Sequence, residues 1–123
     1  MSAVRAGVLY FACVFAAGFV LGAFRVTVVA PAIGATAAVA LECPLILGWS
    51  WFVCGRLVGR AEPLSWRFAM GALAFGLTIA AELALSLAMG GGSIRGFLLQ
   101  YRDPAGALGL AAQIVFGVLP MFR

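Results

Sequence analysis

The 123-residue chain contains no His, no Lys and no Asn, and only four acidic residues: Glu42, Glu62, Glu82 and Asp103. Without His there is no imidazole base and no His-based metal triad. The three cysteines, Cys13, Cys43 and Cys54, lie inside apolar runs without C-x-x-C spacing, so they read as small hydrophobes rather than as a zinc site or disulfide framework. Charged residues make up 10% of the chain and hydrophobic residues 65%, whereas a soluble domain is about 25% charged and under half apolar. Too few polar side chains remain to cover a globular surface in water. The lipid bilayer is the covering partner that this composition implies.

What charge there is has a pattern. All eight basic residues are Arg, and they stand at the ends of apolar runs. A nucleic-acid surface needs a clustered basic stripe, so a pI near 9.6 is read here as a membrane-topology signal, and nucleic acid is not an expected partner. No cofactor is expected either.

A helix needs about 20 apolar residues to cross a hydrocarbon core about 30 Å thick. Four stretches qualify, at about 6–24, 31–54, 66–89 and 104–121. The first, bracketed by Arg5 and Arg25, also fits the basic and apolar regions of a signal peptide. It is long for that, and the expectation is a retained helix. Pro31 suits the first turn of the second span. Arg56, Arg60, Glu62 and Pro63 form a short polar connection to the third, which Gly90, Gly91 and Gly92 should end. Residues 93–103, with Phe97, Leu98, Leu99 and Tyr101 beside Arg95 and Arg102, read as an amphipathic segment lying in the interface. Asp103 and Pro104 supply an N-cap and first-turn proline for the fourth span. The fold class expected is an all-α, integral-membrane, antiparallel four-helix bundle forming one transmembrane domain over residues 1–123.

With both termini cytoplasmic, the inner side holds Arg5, Arg56, Arg60, Arg67 and Arg123, and the outer side Arg25, Arg95 and Arg102. That bias favours an N-in, C-in orientation. The short connection between the second and third spans makes them expected neighbours.

Two carboxylates fall inside spans, where an ionisable side chain is costly and faces protein or water. Glu42 lies 14 residues before Arg56 and Glu82 lies 15 after Arg67, so both stand roughly 21–23 Å from the same boundary and can share a layer. Gln113, on a small-residue line with Gly106, Gly109 and Gly117, and Arg25, on a face with Gly18 and Gly22, are the expected further members of a buried polar cluster. Thr78, Glu82 and Ser86 make a polar line at helical spacing, in which both hydroxyls can bond their own i−4 carbonyls. Pro44 leaves the Ala40 carbonyl without its helical donor beside Glu42. Two readings of the cluster stay open: structural glue, with a shared proton or an Arg25 ion pair, and a proton or cation pathway.

The strings Ala30-Pro31-x-x-Gly34, Glu42-x-Pro44 with Ser50-Trp51, Arg67-x-Ala69-Met70-Gly71-x-x-Ala74-Phe75 and Ala81-Glu82-Leu83-Ala84 resemble an uncharacterised family of small four-span proteobacterial inner-membrane proteins, over nearly the whole chain. The resemblance implies a bacterial inner-membrane setting and no activity. Small multidrug exporters carry an essential Glu in the first span, which is absent here, and dual-topology fluoride channels use a membrane Asn, also absent. The expected function is a non-enzymatic accessory or interaction subunit of a larger membrane complex, or of a homo-oligomer. The alternative is a small proton- or cation-coupled transporter or channel built on Glu42 and Glu82.

Overall fold

The computed structural model describes residues 2–59, 61–88 and 94–122, with all their side chains except those of Phe97 and Gln100. Among the described residues the chain is all helical: α1 (Ala3–Phe24), a π-helical turn (Arg25–Val29), α2 (Ala30–Ile33), α3 (Ala35–Leu57), α4 (Leu64–Ala88), α5 (Ile94–Leu99), a 3-10 turn (Gln100–Arg102) and α6 (Pro104–Phe122). Four helical stretches are long and apolar enough to cross a membrane, the first of them running from Ala3 through the π turn to Ile33. The glycines at 90, 91 and 92, and Arg60 and Arg123 of the expected inner side, lie outside the described residues.

Local chemistry sets the ends. The Ser2 hydroxyl accepts from the Arg5 N–H at 3.2 Å and caps α1, using one of the four donors a helix start leaves free. The second long helix starts later than its proline suggests. Helical structure continues past Arg25, Pro31 falls in the short α2, and the break comes at Gly34, whose φ of 91° is a conformation that side chains with a Cβ rarely adopt. A Cβ there would meet nothing within 4 Å, so glycine is required by the backbone and not by crowding. Asp103 stands before α6 as expected, and its carbonyl accepts the first helical bond, from Ala107 N–H at 2.8 Å. The segment expected in the interface forms, over its described residues, α5 and the 3-10 turn, with Leu98 and Leu99 exposed.

The neighbour relations differ from the expected ones. Helix α1 packs against α3 and α4, and α6 packs against the same two, while α3 and α4 do not approach each other. They occupy opposite corners of the four-helix arrangement, which corrects the expectation that the second and third spans are neighbours. The six residues between Leu57 and Leu64 reach about 20 Å when extended, enough to cross the diagonal of helices spaced 8–10 Å apart. A short connection therefore limits distance at one end without choosing the neighbour.

Contacts along each pair give its sense. Cys13 meets Trp49, Gly18 meets Ile46 and Arg25 meets Glu42, so α1 and α3 run oppositely. Gly71 meets Gly117 and Glu82 meets Gln113, so α4 and α6 do too. The core of Ala6, Tyr10, Val14, Val53, Cys54, Met70, Ala74 and Phe116 gathers at one end, where α1 and α4 begin and α3 and α6 finish.

At that end a Cβ built on Gly71 would stand 1.9 Å from the Gly117 carbonyl oxygen, far inside contact distance, so α4 and α6 can cross there only with glycine at 71. The neighbouring Pro120 is fully buried and has no N–H to give to the carbonyl four residues back, that of Phe116. Tyr10 supplies the missing donor: its hydroxyl donates to Phe116 O at 2.7 Å, and its ring stacks on the Phe116 ring at 4.3 Å between centroids. The diagonal between α1 and α6 is thus closed by one side chain. The other expected small-residue contacts are looser. A Cβ on Gly109 would meet nothing within 4 Å, and those on Gly18 and Gly22 would meet only side-chain tips at 3.6 Å.

Candidate functional site

The four polar residues expected in one cluster form two pairs on different helices. Arg25, the first residue of the π turn, places its Nε 2.5 Å from Glu42 Oε2 on α3, with the two side chains 30% and 18% exposed. On the opposite side, the Gln113 side-chain amide on α6 donates to the Glu82 carboxylate on α4. Among the described residues no hydrogen bond or ion pair links the two pairs. The shared Glu42–Glu82 site is corrected accordingly. The carboxylates belong to α3 and α4, which stand on opposite corners, and each acid takes its partner from an adjacent helix.

The two acids differ in chemistry. Glu42 has a guanidinium beside it, so that pair is electrically closed. Glu82 is half-buried and its hydrogen-bond partner is a neutral amide. The carbonyl oxygen of the same amide, Gln113 Oε1, is buried and has no hydrogen-bond partner. Thr78, one turn before Glu82, closes its hydroxyl onto Ala74 O at 2.8 Å, and Ser50 on α3 does the same to Ile46 O at 2.7 Å. Those hydroxyls satisfy their own helices and offer no donor to the acids.

Tyr101 lies outside the long helices. It sits in the 3-10 turn against α6, where burial pushes its phenol up from the usual range and the Glu82 carboxylate pushes it further. The sequence pattern points Tyr101 to the interface only. It gives no role to Tyr10, although Pro120 four residues beyond Phe116 is a readable sign of an unbonded carbonyl. None of the three cysteines forms a disulfide, with Cys13 exposed and Cys54 buried.

The outer surfaces carry two open apolar grooves. One lies along α1 and α3, between Cys13, Ala17, Val20 and Trp49, whose indole N–H donates to Cys13 O at 3.2 Å. The other lies along α4 and α6, between Phe68, Phe75, Ile114 and Val118. Comparison with protein-family models, with curated proteins and with solved structures found no match.

Proposed function

We propose that this chain is a multi-pass protein of the bacterial inner membrane, a four-helix bundle with both termini cytoplasmic, in which the adjacent pairs α1–α3 and α4–α6 are antiparallel and α1–α4 and α3–α6 are parallel. Its role is that of a non-enzymatic subunit that packs against a larger membrane complex or a second copy of itself. The observation that carries this reading is the small share of the spans that the chain covers by itself. Within the most apolar windows of the four long helical stretches, 17%, 28%, 17% and 11% of residues are buried. A helix that packs on one side alone presents a stripe of about 100°, over a quarter of its circumference, and three of the four fall short. Large side chains such as Phe19, Leu41, Leu45, Phe68 and Ile114 point outward, and the grooves along α1–α3 and α4–α6 suit helices of a partner. The alternative, transport through a joint Glu42 and Glu82 site, has less support, because Arg25 and Gln113 engage the two acids separately.

Purification from native membranes in mild detergent tests the role. A particle well above the 12.7 kDa of one chain, holding either further copies or a second membrane protein, is the expected result. A stable monomer with no companion would end the subunit reading. Orientation is tested separately, by introducing cysteine at residue 95 or 60 in a Cys-free background. An impermeant thiol reagent added from outside should label the first and spare the second.

A further inference from the structure

We infer that Glu82 and Gln113 form a binding site for a small monovalent cation, a proton or a sodium ion, held between the Glu82 carboxylate and Gln113 Oε1. The first argument is charge. The two acids described inside the long helices have unequal company, since Glu42 is neutralised by Arg25 and the hydrogen-bond partner of Glu82 among the described residues is a neutral amide. A carboxylate removed from water needs a compensating positive charge.

Among the described residues no side chain forms an ion pair with Glu82. Helix α6 contains no titratable residue and faces Glu82 with Gln113. Helix α1 carries none between Cys13 and Arg25, and Arg25 is engaged by Glu42. The only basic residue of α4 itself is Arg67, whose Nε donates to Glu62 O at 3.2 Å. From the short helical segment before α6, Arg95 and Arg102 are exposed, and Tyr101 brings a phenol held in its neutral form.

The second argument is the buried Gln113 Oε1, an acceptor without a donor on the same amide whose N–H group already engages Glu82. A neutral carboxylic acid and a primary amide satisfy each other by two hydrogen bonds, O–H to amide oxygen and N–H to acid oxygen. A proton on the second Glu82 oxygen therefore completes both groups at once. A sodium ion coordinated by the same two oxygens gives the same charge balance. Both fillings put one positive charge in one place. The site needs no partner protein, so its test is independent of the subunit reading.

Dicyclohexylcarbodiimide, which partitions into apolar regions and reacts with protonated carboxyls, provides the probe. The full-length protein in mild detergent is treated over a range of pH at zero and at high sodium, and adducts are located by peptide mass mapping. Modification of Glu82 at least tenfold faster than of Glu42 is expected. For a proton site the rate falls as pH rises and ignores sodium, whereas for a sodium site sodium also suppresses it at constant pH. No adduct at Glu82, or equal rates at the two acids, overturns the inference. Gln113→Leu, which takes away the second oxygen, should move the midpoint of the pH or sodium dependence at least tenfold in ion concentration. An unmoved midpoint in a folded variant overturns it as well. If that variant does not fold, the mapping on the unaltered protein still decides.

Discussion

The two ends of the four-helix arrangement are built on different principles. At the end of Tyr10, Met70 and Phe116, helices meet through glycine and buried aromatic rings, and the one carbonyl that a proline leaves open is closed by a hydroxyl from the diagonal helix. Toward the other end the helices are held by polar pairs, Arg25 with Glu42 and Gln113 with Glu82, and apolar side chains such as Phe19, Val20 and Phe24 turn outward. Close packing tolerates almost no change of shape, whereas partly exposed polar pairs contribute little each. The first end should therefore set stability, and the second is free to set function.

The contrast is most exposed to attack at Gly71. Gly71→Ala drives a methyl into the Gly117 carbonyl, and because backbone must move to admit it, a loss of about 3 kcal/mol is expected from overpacking. Gly109→Ala, in open space on α6, should cost nothing and gain up to about 1 kcal/mol of helix propensity. Unfolding in mixed micelles with increasing sodium dodecyl sulfate measures both. Equal effects would erase the distinction between the tight contact and the loose glycine line.

Tyr10→Phe removes the donor to Phe116 O and should cost about 1–2 kcal/mol, as expected for a buried acceptor left open. The cost should shrink when combined with Pro120→Ala, since residue 120 then has an N–H for that carbonyl. A double-mutant cycle reads the difference, and strict additivity would show that the proline does not create the need for the tyrosine.

Among the polar pairs the expected losses are smaller and unequal. Glu42→Gln leaves Arg25 without its counter-charge, and with the arginine 30% exposed about 0.5–1 kcal/mol is the expected loss. Glu82→Gln should be close to neutral in the same unfolding assay, within about 0.5 kcal/mol, because a neutral amide can replace a neutralised acid opposite Gln113. A Glu82→Gln loss larger than that of Glu42→Gln would make the Glu82 pair a structural prop and reverse the division between the two ends.

Much of this was readable along the chain. Run length and composition determine four apolar helical stretches, because a chain with 10% charged residues cannot cover itself in water. The partners of both acids were also legible in kind, since Arg25 and Gln113 were the polar residues on glycine-bearing faces. The start of the second long helix was not legible. Pro31 signals a helix start, but the π turn and short α2 carry helical structure on to Gly34.

Local sequence thus determined the elements and the residue types that need partners, since hydrogen bonding and hydrophobicity act on each segment by itself. Which partner each takes depends on lateral placement. A match of height between Glu42 and Glu82 says nothing about the corners on which α3 and α4 stand, and that placement follows from where glycine lets backbones close, at Gly71 against Gly117. The tertiary structure alone decided that one carboxylate meets a cation and the other a neutral amide, because that choice is made between helices and not along them.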